Sequence, residues 1–221
     1  MTEAVYRAAT AVGRAGLRAL DLRVEWTGAE HLPTSGPVLL ASNHVSYPDF
    51  VFVAHAALAR GRTVRFLCRH DVWNRRRWGW PMDRMRHVPV DRQAPASAYL
   101  LARSRLRDGD AVCLFPEAGI SWSFTVRPLM RGVASLARET GAPVVPVAIW
   151  GSQRLWSVGR PDHLGREPRP DWTRGRRVDL SFGEPMAPPG EDLTAWTREL
   201  GVRLTAQLEA LQRMPHHRPR P

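Results

Sequence analysis

His44 and Asp49, five residues apart in the stretch Ser42-Asn43-His44-Val45-Ser46-Tyr47-Pro48-Asp49-Phe50, have types and spacing suited to proton transfer. An imidazole whose Nδ1–H is held by a carboxylate has a fixed tautomer and support for its imidazolium form. Its Nε2 is then free to take a proton from a hydroxyl. On one continuous helix, residues five apart point about 140° away from each other, so the pair meets only if the chain turns between them. The flanks predict that turn. Pro37-Val38-Leu39-Leu40-Ala41 reads as a buried strand and Phe50 to Leu58 as a helix. Pro48, with its fixed φ and no N–H, suits the first helical position, which puts Asp49 in the first turn and His44 outside the helix. The same residues also support a purely structural reading, with Asp49 favoured at a helix N-terminus and His44 closing a loop.

The elements that must position this pair read as one α/β domain with a mostly parallel central sheet flanked by helices and preceded by an N-terminal amphipathic helix. Residues 1–21 form that helix, residues 22–213 the domain, and residues 214–221 a disordered tail whose His216-His217 pair is not expected to bind metal. Strands are expected at Leu22 to Thr27, Thr63 to Cys68, Ala111 to Phe115, Val144 to Trp150 and Arg177 to Phe182, with helices at Ala94 to Arg107, Arg131 to Thr140 and Glu191 to Arg213. In the last helix Leu193, Trp196, Leu200, Leu204, Leu208 and Leu211 recur on one face, which is expected to cover the sheet. Arg154 to Arg174, rich in proline, glycine and charge, reads as a surface excursion. In an open parallel sheet, ligand sites gather outside the carboxyl ends of the strands, where His44, Arg69, Arg92 and Glu117 all fall.

Composition narrows the chemistry. Every basic residue among the 32 is arginine, so a Schiff base or lysine nucleophile is excluded. The net charge of +11 suits an anionic partner: nucleic acid, an anionic bilayer, or a phosphorylated substrate, whose phosphate the arginine fork matches. It also reads as a plain bias toward arginine over lysine. Cys68 and Cys113 both fall inside strand-like runs and read as reduced core thiols. No apolar run is long enough to span a membrane, and Arg7, Arg14 and Arg18 interrupt the first helix. That helix reads either as packed on the domain with a solvated arginine face or as lying on an anionic membrane. Between Asp71 and Arg86, Trp73, Trp78 and Trp80 alternate with Arg75, Arg76, Arg77, Arg84 and Arg86, a mixture that suits a lipid interface or nucleic acid. No nucleic-acid module accompanies it, so lipid is the expectation and nucleic acid is not.

Four ordered blocks carry a resemblance: Asn43-His44-x-x-x-x-Asp49, Val88-Pro89-Val90-Asp91-Arg92, Phe115-Pro116-Glu117 and Val145-Pro146-Val147. Together they resemble the 1-acylglycerol-3-phosphate acyltransferases, a branch of the glycerolipid acyltransferases, from about Val24 to Gly183. Gly79-Trp80 is similar to the Gly-Trp this family carries in the same interval. The resemblance implies His44 as general base, Asp49 as its orienting partner, and an acceptor hydroxyl attacking the thioester of acyl-CoA or acyl-ACP without a covalent enzyme intermediate, cofactor or metal. It also implies a substrate site drawn from Asn43, Arg69, Arg92, Glu117, Gly119, Ser121 and Arg131, with Arg92 pairing the phosphate of a lysophospholipid acceptor. The expected location is peripheral, on the cytoplasmic face of the cell membrane.

One departure matters. The family's third block runs Phe-Pro-Glu-Gly-Thr-Arg-Ser, whereas here Glu117 is followed by Ala118-Gly119-Ile120-Ser121. Ile120 replaces the arginine that helps hold the acceptor phosphate. Either Arg127, Arg131 or Arg69 substitutes, or the headgroup differs, an aminolipid or glycolipid being the alternatives. A non-catalytic basic protein that binds anionic lipid or nucleic acid is the competing class of function.

Overall fold

The computed structural model describes residues 2–74, 79–91, 93–158, 170–171 and 173–217. Arg75, Arg76, Arg77, Trp78, Arg92 and most of the expected surface excursion lie outside the described residues, as do the last four residues. In chain order the elements are α1 (Thr2–Ala19), β1 (Arg23–Thr27), β2 (Val38–Ser42), α2 (Asp49–Ala59), β3 (Val64–Arg69), α3 (Asp71–Asn74), α4 (Gly79–Arg84) and β4 (Val88–Val90). They continue with α5 (Pro95–Arg107), β5 (Ala111–Leu114), α6 (Gly132–Thr140), β6 (Val144–Trp150), β7 (Arg177–Phe182) and α7 (Leu193–Gln212).

Seven strands form one sheet in the order β1-β7-β6-β2-β5-β3-β4. From β6 to β4 all neighbours are parallel, so β2, β3, β4, β5 and β6 end on one rim. β7 runs antiparallel to β6 and pairs in parallel with β1, which gives the mostly parallel sheet one reversed edge. β2 is the central strand, flanked by β6 and β5 and buried at all five positions. A parallel strand covered on both faces needs apolar residues of either parity, and β2 supplies them. Val38 and Leu40 pack with Phe52, Val53 and Ala56 of α2, while Leu39 and Ala41 pack with α5, α6 and α7 through Ala102, Leu136 and Leu200. The leucine stripe of α7 lies on the sheet as its period predicts: Leu200, Leu204, Leu208 and Leu211 are buried. Asp192 caps that helix, its carboxylate accepting the Thr194 and Ala195 N–H groups.

Helix α1 is fastened to the domain by Tyr6, which is buried and whose hydroxyl bonds both the carbonyl and the N–H of Val64. Of its two sequence readings, packing on the domain describes this attachment. No helix among the described residues is long and apolar enough to cross a membrane. Both thiols are unpaired, and burial pushes Cys68 up to about 12 and Cys113 higher still.

The expected disorder from Met214 onward is corrected over its first residues. Pro215–His217 form a 3-10 turn and His217 is buried. Its Nε2 donates to Oδ2 of Asp179 on β7 at 2.7 Å, His216 Nε2 donates to the same oxygen at 3.0 Å, and Arg154 donates to the His217 carbonyl at 3.0 Å. A buried carboxylate gives the two imidazoles a partner that tail composition does not reveal. Burial alone would raise Asp179, but the hydrogen bonds from His217, His216 and Arg177 hold its carboxyl below the usual range.

Candidate active site

The turn after β2 brings His44 and Asp49 together. Pro48 is the N-cap of α2, so Asp49 opens the helix with its carboxylate folded back over the preceding loop. Oδ2 accepts three hydrogen bonds, from His44 Nδ1 at 2.8 Å and from the Val45 and Ser46 N–H groups at 2.8 and 2.9 Å. Oδ1 accepts one from Ser152 Oγ at 2.6 Å. Asp49 is fully buried, and four donors compensate its lost hydration. The acceptance of the Nδ1 proton assigns the tautomer and leaves Nε2 as a lone pair with no partner among the described residues, on a side chain 17% exposed. The imidazole plane is held as well: Phe115 stacks on it, ring centroids 4.1 Å apart and planes 20° from parallel.

The end of β6 frames the turn. Asn43 clamps Ile149 at both ends of its side chain, Nδ2 donating to the Ile149 carbonyl at 3.1 Å and Oδ1 accepting its N–H at 2.7 Å. Gly151 follows β6 with φ +100, and a Cβ there would stand 2.2 Å from the Arg177 carbonyl, so only glycine lets the chain bend there. That bend starts the 3-10 turn Ser152–Arg154 and delivers Ser152 to Asp49. Beyond it, the Trp156 carbonyl accepts from Tyr47 N–H and Ser46 Oγ, and Ser157 Oγ donates to the Val45 carbonyl.

Glu117, just past β5, reaches the same turn from the other side. Oε1 accepts the His44 N–H at 2.8 Å and Oε2 the Arg127 N–H at 2.9 Å. Burial pushes its carboxyl up, and these two N–H groups pull part of the way back. Ser121 N–H donates to the His44 carbonyl at 2.7 Å, so the third block grips both polar groups of the His44 backbone. Ala118 sits between them at φ +56, a left-handed conformation at the position where the resembled block has glycine. Gly119 lies against Arg127, whose Nη1 would be 3.5 Å from a Cβ there. Arg127 is therefore the arginine brought to the turn that carries Ile120.

Of the residues expected at the site, Asn43, His44, Asp49, Glu117, Gly119 and Ser121 are gathered in this cluster. Arg69 ends β3 on the same rim but pairs with Asp71 at 2.9 Å and lines a separate hollow of about 320 Å³ with His70, Val90 and Asp91. Arg131 caps α6 and borders an open, largely apolar groove of about 860 Å³ between Val126–Leu129 and α7. Arg127 stands at that groove too. Ser152 and Trp156 are not singled out by the sequence, and Phe115 figures there only as part of the third block, with no role of its own. The rim rule reaches Ser152, which follows a parallel strand as directly as His44 does, but nothing local separates it from the other serines.

Comparison with known proteins identifies what the chain is similar to. Residues 23–150 match the family whose description is Acyltransferase. A chloroplastic 1-acyl-sn-glycerol-3-phosphate acyltransferase of Brassica napus, BAT2, is 31% identical over 136 residues, covering 60% of this chain and 38% of the relative. The 1-acyl-sn-glycerol-3-phosphate acyltransferase of Bacillus subtilis is 25% identical over 186 residues, 79% of this chain and 83% of the relative. The crystal structure of the 1-acyl-sn-glycerophosphate acyltransferase PlsC from Thermotoga maritima superposes with a TM-score of 0.77 at 21% identity, over 96% of this chain and 81% of that one. The chain spans 38% of the length of the Brassica napus relative and of a chloroplastic relative from Arabidopsis thaliana.

Proposed function

The chain belongs to the acyltransferase family, and from that premise we propose that it transfers a fatty acyl group from acyl-CoA or acyl-ACP to the free hydroxyl of a lysophospholipid. The acceptor favoured is 1-acylglycerol-3-phosphate, the substrate in the names of its relatives. One observation carries the reading: His44 Nδ1 is held at 2.8 Å by a buried carboxylate with four donors, while Nε2 has no partner among the described residues. In this reading Nε2 takes the acceptor hydroxyl proton as the oxygen attacks the thioester carbonyl, Asp49 supports the imidazolium, and the thiol leaves with that proton. No residue of the chain becomes acylated. The apolar groove beside Arg127 suits a fatty chain, and Arg127 itself, beside Glu117 and over the Ile120 turn, suits the acceptor phosphate. Arg92, matched to the family's phosphate arginine, remains part of the proposal from sequence.

Thiol release from acyl-CoA in the presence of lysophosphatidate tests it, with His44→Ala as the comparison. Release that depends on both acceptor and His44 is the expected result, and equal rates in the two proteins would sink the enzyme reading. Ile120 in place of the family arginine favours keeping a second acceptor class, a lyso-aminolipid or glycolipid. A wild type that acylates these faster than lysophosphatidate, with Arg127→Ala unaffected, would select it. The site is proposed to work at an anionic membrane surface, where the lysolipid acceptor resides.

A further inference from the structure

We propose that the protein meets the bilayer through the aromatic rim of its own active-site mouth and not through helix α1. The proposal rests on the acyl-transfer reading only for the location of the substrate.

Large apolar side chains left in water mark interaction surfaces when they cluster. Here Tyr47, Phe50, Trp80, Trp122, Met130 and Trp156 are all exposed, with Trp80 at 61%, Trp122 at 55% and Met130 at 63%. Topology explains their company. β2, β3, β5 and β6 are parallel, and each of the six lies in the connection that leaves one of their carboxyl ends. Tyr47 and Phe50 follow β2, Trp80 follows β3, Trp122 and Met130 follow β5, and Trp156 follows β6. Four of them are tied to the mouth. Trp122 adjoins Ser121, whose N–H holds the His44 carbonyl, and Met130 N–H bonds the Pro116 carbonyl beside Glu117. Tyr47 packs against Trp156 with ring centroids 4.8 Å apart and planes tilted by 40°.

The charge around these rings selects an anionic lipid surface over an apolar protein partner. Arg84 stands over the Trp80 ring at 5.5 Å, Arg69 is exposed at the end of β3, Arg127 and Arg131 are exposed on the connection that leaves β5, and the chain carries +11 overall. Indole and arginine together are what headgroup depth accommodates, the ring at the acyl boundary and the guanidinium among phosphates. Helix α1 lacks the apolar half of that pair. Tyr6 is spent on the domain, and among the described side chains α1 turns outward only alanines, arginines, Gly16 and one large apolar residue, Val12. Such a surface offers attraction to anions and almost no insertion.

The test uses the full chain and sucrose-loaded vesicles of equal parts phosphatidylcholine and phosphatidylglycerol. Trp80→Ser with Trp122→Ser is expected to weaken sedimentation with these vesicles roughly tenfold or more. Val12→Ser should leave it unchanged, and brominated lipid should quench less tryptophan emission in the double variant than in wild type. The double variant should keep wild-type turnover on a short-chain, monomeric lysophosphatidate, which separates docking from chemistry. Wild-type vesicle binding by the double variant, failure of the wild type to bind anionic vesicles, or loss of binding in Val12→Ser would each overturn the proposal. A wild type that binds vesicles through the rim but acylates no lysolipid would leave the docking surface standing and remove the acyl-transfer reading.

Discussion

Ser152 Oγ lies 2.6 Å from Asp49 Oδ1, both side chains fully buried and 103 residues apart in the chain, so the carboxylate that orients His44 is itself oriented from the end of β6. Ser152→Ala leaves Oδ1 without its donor. A hydrogen bond to a buried charge contributes about 1.5 to 3 kcal/mol, so kcat should fall roughly tenfold to a hundredfold with little change in KM. Steady-state kinetics on a protein shown folded by circular dichroism checks this, and Ser152→Thr, which keeps the hydroxyl, should recover part of the loss. Unchanged kcat in Ser152→Ala would remove Ser152 from the positioning of the pair.

Asp49→Asn separates charge from scaffolding. An asparagine can keep its oxygen toward the Val45 and Ser46 N–H groups and turn its amide toward Ser152, whose hydroxyl can accept, so the fold should hold. The negative charge facing the imidazole is gone. In the Ser-His-Asp template the equivalent change costs on the order of 10⁴-fold, and a loss of more than about a hundredfold in kcat is expected here. Turnover near wild type in the folded variant would make the pair structural only.

His87 provides a pH signature of the fold. Its Nδ1 accepts the Phe66 N–H at 3.1 Å, and burial, with the Arg65 charge adding to it, lowers its pKa from 6.5 to about 4. The sign follows from proton uptake. Below 6.5 the unfolded chain binds a proton that the native chain refuses until about 4, so stability falls as pH drops through that window. At about 1.4 kcal/mol per unit, this one group removes about 2 kcal/mol between pH 6.5 and 5. His87→Gln, whose side-chain carbonyl can still accept from Phe66, should show a shallower dependence in urea unfolding at pH 7 and pH 5. Parallel curves for the two proteins would show that His87 is protonated in the native state.

Ala118→Gly should stabilise the protein. At φ +56 the alanine Cβ crowds its own carbonyl, a strain of about 1 to 2 kcal/mol that glycine does not have, partly offset by the freer unfolded chain. The expected gain is about 1 kcal/mol, seen as a rise in Tm of roughly 2 to 4 °C. A lower Tm would mean that the Cβ makes contacts worth more than the strain.

What the sequence made legible was local or periodic. The β2 strand, the proline-led start of α2 and the leucine face of α7 follow from short-range pattern, and with them the meeting of His44 and Asp49. The convergence of Glu117 on His44 followed from a topological rule applied to strand ends, and the structure makes it a hydrogen bond. Ser152, the Phe115 stack and the seating of His217 on Asp179 stayed hidden, because each joins residues brought together by tertiary packing and not by spacing. The reversal of β7 was hidden for the same reason: its run of residues looks alike in either direction. Arg69 shows the opposite limit. It reached the predicted rim and was taken up there by Asp71.

The pairing of β1 bears on how the molecule is made. β1 lies at the sheet edge and its partner is β7, with Arg23 opposite Arg177. At roughly 5 to 20 residues per second, a ribosome that has released β1 needs about 8 to 30 s more to produce β7. The five parallel strands can close during that time, since β2, β5 and β6 are complete by Trp150. The nascent chain therefore carries an assembled parallel core with the β6 edge bare and the first strand unclaimed. Such an edge is a template for neighbouring chains. The 3-10 turn that seats His217 on Asp179 follows α7 in the chain, so the brace behind Arg154 can close only after that helix has been made.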